Sequence, residues 1–332
     1  MRIPALLLSA VLVLAAGCGG GGDAAAKPNI DTKGAPFAFP SVSDHQPGAE
    51  PTMVSNTLPP EATQIQVLHE GTGRKVGKDD VVVTDVKGQV WDKGGVALPA
   101  FVNSFKTGQL LIRPLSTVVP AWEKALPGVK VGSRVLLVAP AADGFGDQGN
   151  PGVGILPGDS LMFVIDVLDS VAPGTAAGGK VLSPASDPKL PTVTAGKAPK
   201  VNVPRGVDPP AGLVEQLLQQ GAGAKVQAGQ TILAEYVGVL WRNGKVFDSS
   251  WDAGRHPFAA RIATTDPKTG ESGVIKGWVQ ALTGKKVGSR LLLVVPPELG
   301  YGKGGNSDAG ITGTDTLVFV IDILGVYGKA VS

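Results

Sequence analysis

The feature that most constrains this chain is that it repeats itself at long range. The run from Val129 to Val138 (VKVGSRVLLV) recurs from Lys285 to Val294 (KKVGSRLLLV), and Leu161–Leu168 (LMFVIDVL) recurs as Leu317–Leu324 (LVFVIDIL). Trp122 matches Trp278 and Phe145 matches Tyr301, all 156 positions apart; upstream, Gly71-Thr72-Gly73 matches Gly221-Ala222-Gly223 and Trp91 matches Trp241 at 150. The second copy therefore carries six extra residues between Trp241 and Trp278. A repeat of this length is two domains rather than a solenoid of small units. Each copy, about 110 residues, is long enough to bury its own core.

Within a copy the periodicity predicts four to six strands and one helix. Apolar residues alternate from Ile232 to Leu240, Arg242-Asn243-Gly244-Lys245 supplies a hairpin turn, and a second strand then delivers Val246, Phe247 and Asp248. On a pleated strand Phe247 and Asp248 point to opposite faces unless the strand bends there. Apolar positions 274, 275, 278, 279, 281 and 282 predict a helix over Val274–Leu282. A sheet wrapping one short helix is an α+β architecture. Gly (47) and Pro (27) are abundant, so linkers take a sizeable share of the 332 residues. The expected divisions are a signal peptide over 1–17, a tether over 18–60, a first domain over 61–170, a linker over 171–201 and a second domain over 202–328. Phe37 and Phe39, within the tether, are expected in solvent, with docking on a domain as the alternative.

The single cysteine, Cys18, follows an apolar run, Ala5 to Ala16, too short to span a bilayer of about 30 Å. Leu14-Ala15-Ala16-Gly17-Cys18 resembles a bacterial lipoprotein lipobox, with Ala15 where leucine is preferred. The resemblance implies lipidation at Cys18 and an extracytoplasmic protein anchored to the bacterial cell membrane; an ordinary secretory peptide is the alternative. The formal net charge is +2, no basic tract is dense, and the aromatics are not interleaved with Lys or Arg, so no nucleic-acid partner is expected. No Cys, His or acidic group has metal-ligand spacing, and no P-loop, G-x-S-x-G elbow or strand-linked G-x-G-x-x-G is present. No cofactor is expected.

What remains is an apolar, aromatic set with one carboxylate in the second copy. Ala234-Glu235-Tyr236-Val237-Gly238, Gly244-Lys245-Val246-Phe247-Asp248-Ser249-Ser250, Val274-Ile275-Lys276-Gly277-Trp278, Leu299-Gly300-Tyr301-Gly302 and Thr316-Leu317-Val318-Phe319 occur in order. Together they resemble the successive signatures of FKBP-type peptidyl-prolyl cis-trans isomerases. The resemblance implies a curled antiparallel sheet around the helix, with Trp278 as pocket floor. Tyr236, Phe247, Phe258 and Phe319 would be its walls, and Val274, Ile275 and Ile311 its rim. Asp248 and Tyr301 would be polar contacts, and the Ile275 amide would grip a substrate carbonyl. By themselves Trp278 and Phe319 are equally core residues of a sheet-on-helix fold, and Asp248-Ser249-Ser250 is equally a turn or cap cluster.

The implied function is isomerisation of X-Pro bonds in proline-containing unfolded or exported polypeptides, with macrolide inhibitors as further ligands. Rotation about such a bond faces a barrier of ~18–20 kcal/mol because twisting forfeits amide resonance. No nucleophile is needed, since binding the twisted state better than the planar one is sufficient. A chaperone or peptide-binding lipoprotein with little isomerase activity is the alternative. Constant offsets set Tyr236 on Val86, Phe247 on Ala97 and Asp248 on Leu98, so the first copy is expected to keep the fold without the full pocket.

Overall fold

The computed structural model describes residues 37–55, 57–91, 97–183, 187–194, 196–264 and 273–331. The signal peptide, Cys18 and most of the tether lie outside the described residues. The first part of the chain forms β1 (Ser41–Val42), β2 (Met53–Val54), β3 (Gln64–His69), β4 (Val81–Trp91), β5 (Ala97–Asn103), α1 (Ser104–Thr107), β6 (Leu111–Pro114), α2 (Pro120–Ala125), β7 (Arg134–Ala139) and β8 (Ser160–Val171). The second forms β9 (Lys180–Val181), β10 (Thr192–Val193), β11 (Val201–Asn202), β12 (Val214–Gln220), β13 (Thr231–Leu240), β14 (Val246–Ser249), β15 (Phe258–Arg261), α3 (Lys276–Leu282), β16 (Arg290–Val295) and β17 (Leu317–Tyr327).

Each copy builds one antiparallel sheet. The first has the order β3-β7-β8-β4-β5, with β6 pairing the other half of β4; the second has β14-β13-β17-β16-β12-β9, with β15 pairing β13. The repeat is thus α+β twice over, with β4 equivalent to β13, β8 to β17 and α2 to α3. Trp278, Ala281 and Leu282 of α3 pack into the concave side against Tyr236, Leu293, Phe319 and Ile321. Gly277 lets α3 lie close to β16, because a Cβ there would sit 2.6 Å from Val295 Cγ1. The helix begins two residues later than its periodicity predicts. The Val274 N–H is drawn back to Ala263 O at 2.8 Å, and Ile275 is an extended N-cap.

Both faces of each sheet are apolar. The runs RVLLVA of β7 and RLLLVV of β16 are buried at every position, a pattern that demands cover on two sides. Segments expected as tether and linker, with the first residues of the expected second domain, provide it. In the first copy Met53, with Phe39 and Val42, packs on Trp91, Leu136, Val138, Met162 and Val164. In the second, Val193, Val201, Val203 and Val207 pack on Val237, Trp241, Leu292, Val318 and Val320. Phe39 is therefore packed rather than solvated, and the Phe37 ring lies 6.5 Å from that of Trp91.

Equivalent hydrogen bonds fasten the covers. Trp91 Nε1 donates to Thr57 O at 2.9 Å and Trp241 Nε1 to Val207 O at 3.0 Å. Buried Arg134 pairs with Asp166 at 2.6 Å and donates to the carbonyls of Asp44 and Ala49. Arg290 pairs with Asp322 at 2.6 Å and donates to those of Gly196 and Lys197. A buried ion pair is tolerable only when its remaining polar atoms are satisfied, and here the covers satisfy them.

Candidate active site

The predicted residues of the second copy converge on the concave end of the sheet. Tyr236 and Gly238 lie on the same face of β13, two residues apart. Gly238 is flanked in register by Asp248 on β14 and Phe319 on β17. The β13–β14 ladder shifts between Gly238 and Val239, leaving Phe247 as an extra residue between paired Val246 and Asp248. That bulge resolves the expectation of opposite faces, because the added residue lets Phe247 and Asp248 serve the same cleft. The Phe247 ring lies across Gly238, where a Cβ would stand 2.5 Å from its Cζ. Only glycine admits the ring.

The aromatic residues form a continuous edge-to-face set. Trp278 lies 5.4 Å from Phe319, 5.5 Å from Tyr236 and 6.4 Å from Phe258 between ring centroids. Phe247 lies 5.6 Å from Phe319, and Tyr236 5.7 Å from Phe258. Such arrangements add about 0.5–1.5 kcal/mol per pair beyond burial, so the cage is stiff. Val274 and Ile275 border the same cluster, and Ile311 is buried in it. Phe258 and Tyr301 remain 43% and 40% exposed at the rim. Among the described residues the Ile275 amide at the start of α3 has no internal acceptor.

One polar network crosses this cage. Tyr236 donates its hydroxyl to Asp248 Oδ2, and Asp248 Oδ1 accepts from Arg255 Nη2 and from the Ser249 amide, both at 3.0 Å. Burial pushes the Tyr236 hydroxyl well above the usual phenol range, and the Asp248 carboxylate adds to the shift. Tyr301 is raised for the same two reasons, burial first, while the Asn306 side chain opposes them. Both phenols therefore stay protonated as donors. A hollow of about 880 Å³ lies between residues 201–209 and the turn at Trp241–Gly244, but Arg242 there is bound to Asp315 and no aromatic cage lines it.

Comparison with known proteins bears on this geometry. The family model described as FKBP-type peptidyl-prolyl cis-trans isomerase matches residues 72–168 and 223–324, more than half of the chain. The chain is 39% identical over 128 residues to an FK506-binding protein of Streptomyces anulatus, covering 39% of this chain and 96% of that one. It is 35% identical over 126 residues to a probable FK506-binding protein of Corynebacterium glutamicum, covering 38% and 96%. It is also 38% identical over 115 residues to the isomerase FkpA of Escherichia coli, covering 35% and 38%.

The chain belongs to the FKBP family.

It is an FKBP-type peptidyl-prolyl cis-trans isomerase with two FKBP domains in tandem. The two differ at the cleft, and the structure corrects how they superimpose. In the first FKBP domain Gly88 is flanked by Val102 and Phe163, with the Phe101 ring 2.8 Å from a Cβ placed on it, as Phe247 is on Gly238. Ser104 takes the Val86 amide as Ser250 takes the Tyr236 amide. Phe247 and Asp248 therefore correspond to Phe101 and Val102, not to Ala97 and Leu98. The stretch from Gly88 to Phe101 is four residues longer than that from Gly238 to Phe247, and the stretch from Ser104 to Trp122 is ten shorter than that from Ser250 to Trp278. A constant offset cannot register both differences.

The first FKBP domain consequently keeps three rings of the aromatic cage: Phe101–Phe163 and Trp122–Phe163 are edge-to-face at 5.8 and 5.7 Å. It replaces three polar groups of the cleft with apolar ones, Val86 for Tyr236, Val102 for Asp248 and Phe145 for Tyr301. Register also sets Leu111 where the second domain has Phe258. Sequence reasoning did not single out Arg255, which binds Asp248 across a loop, nor Glu235 and Ser250 behind Tyr236. A lone Arg seven residues after Asp248 carries no local signal of that pairing.

Proposed function

We propose that the second-domain cleft is the isomerase site and acts on X-Pro bonds of unfolded or exported polypeptides outside the cytoplasmic membrane. The observation that carries this reading is the polar network of Tyr236, Asp248 and Arg255 set within an otherwise aromatic cage. In it the proline ring rests on Trp278, walled by Tyr236, Phe247, Phe258 and Phe319, with Val274 and Ile311 at the rim. The Ile275 amide takes a substrate carbonyl, and Asp248 and Tyr301 contact the bound peptide. Excluding water weakens solvation of the planar, polar amide, so the twisted form is bound preferentially. Each tenfold of rate requires only about 1.4 kcal/mol of that preference.

The first-domain cleft, apolar throughout, holds chains rather than turning them over, which supports a chaperone contribution as the second reading. Cys18, outside the described residues, is the proposed lipidation site and membrane anchor. A protease-coupled proline-peptide assay on the full chain tests the enzyme reading. Activity above background that falls in Phe247→Ala is expected, and a wild type at background would sink it. A macrolide inhibitor is expected to bind one site per chain by calorimetry, and mass measurement of the mature N-terminus reads lipidation at Cys18.

A further inference from the structure

Glu235 lies on β13 one residue before Tyr236 and so faces away from the cleft. It is 0% exposed, and among the described residues its carboxylate is held by neutral donors. Its oxygens accept from Ser250 Oγ and from the Gly174 amide, the latter at 2.8 Å. Ser250 is buried as well. Its hydroxyl oxygen accepts the Tyr236 amide at 2.8 Å, and its own amide donates to Tyr236 O at 3.0 Å. Residues 235, 236 and 250 thus close a small ring of hydrogen bonds, and the two side chains that meet in the cleft, Tyr236 and Asp248, leave from the segments this ring joins.

The third partner, Gly174, belongs to the connection between the domains. That connection is fixed on both sides of it. Tyr327 of the second domain donates to Asp169 at 2.5 Å, the Ala177 amide to Asp322 at 2.7 Å and the Gly179 amide to Gly288 O at 2.9 Å. In the first copy the serine hydroxyl part of this ring is made by Ser104 with Asp85 and Val86, but among the described residues no amide of the preceding segment reaches Asp85. The ring is therefore a property of the fold. The bond to the linker belongs to the copy that has the polar cleft, where the carboxylate is one methylene longer.

We propose that Glu235 is a positioning residue of the second-domain cleft, through which the interdomain linker holds the strand end that carries Asp248 against Tyr236. This rests on reading that cleft as the isomerase site. The linker is then part of the catalytic domain, and unseating it near Gly174 loosens Asp248.

Full-length variants test the idea. Glu235→Asp keeps the ring, as Asp85 does in the first copy, but is too short for Gly174; Ser250→Ala opens the ring. Misplacing a contact group by about 1 Å can cost up to about a hundredfold in rate, so partial loosening is expected to lower kcat about fivefold in the first variant and about tenfold in the second. KM should stay within about twofold. Amide exchange at Gly174 should quicken in Glu235→Asp, and Asp85→Asn, which removes the half-buried carboxylate of the other copy, should leave kcat unchanged. Wild-type kcat in Glu235→Asp and Ser250→Ala, with Gly174 exchange quickened, would overturn the proposal. So would a kcat loss matched by a falling unfolding midpoint and shared by Asp85→Asn. A wild type without isomerase activity would instead remove the cleft reading on which the proposal stands.

Discussion

The Tyr236 hydroxyl donates to Asp248 across adjacent strands of the second sheet, and at the equivalent places the first sheet sets Val86 and Val102. The two domains share a fold, a glycine gap and the Phe–Phe–Trp part of the cage, and this pair is a polar difference between them. Asp248 is also bound by Arg255, and its side chain stays 38% exposed. Its role can therefore be separated from that of the core.

Asp248→Val, which imitates the first copy, is expected to lower kcat/KM roughly tenfold, equivalent to ~1.4 kcal/mol of transition-state binding. The unfolding midpoint should barely change, because the carboxylate is only half-buried and faces the cleft. A proline-peptide assay alongside thermal unfolding reads both quantities.

Gly238→Ala places a Cβ 2.5 Å from Phe247 Cζ, and the aromatic ring has Phe319 behind it. Overpacking of this kind costs typically 1–3 kcal/mol. Loss of second-domain stability together with loss of activity is expected, measured by denaturant titration and the same assay; wild-type values for both would contradict the ring placement.

Met53→Ala probes the cover on the first sheet. Met53 is 4% exposed against Trp91, Leu136 and Met162, and truncating a buried Met costs about 2–5 kcal/mol. The first-domain unfolding transition should move down while isomerase activity persists. No shift would mean that the hairpin does not bury the sheet in solution.

Glu235 gives a pH dependence of known sign. Burial raises its carboxyl above the usual glutamate value of 4.5, and the Ser250 hydrogen bond only partly opposes this. The folded state therefore binds more protons than the unfolded one above that value. The stability this contributes is complete below the unfolded value and lost as pH rises through the folded one. Glu235→Gln should show a flatter decline in unfolding free energy from about pH 4.5 upward. Parallel pH profiles for wild type and variant would contradict the assignment.

Much of this was legible in the sequence. The repeat gave two domains, alternation gave β13, and the ordered signatures gave Tyr236, Phe247, Asp248, Trp278 and Phe319 their common site. The helix was legible except for its first two residues, which the Ala263 carbonyl keeps extended. These features are local, since strand and helix periods and glycine turns act within a few residues of one another. The tertiary structure alone decided that Phe101 and Val102, rather than Ala97 and Leu98, stand where Phe247 and Asp248 do. It also decided that residues expected as tether and linker, together with the start of the second domain, cover the sheets, that Arg255 binds Asp248, and that Gly174 reaches Glu235. Each of these depends on a ladder register, a bulge or a hydrogen bond between residues brought together across loops, and no fixed spacing in the chain encodes the outcome.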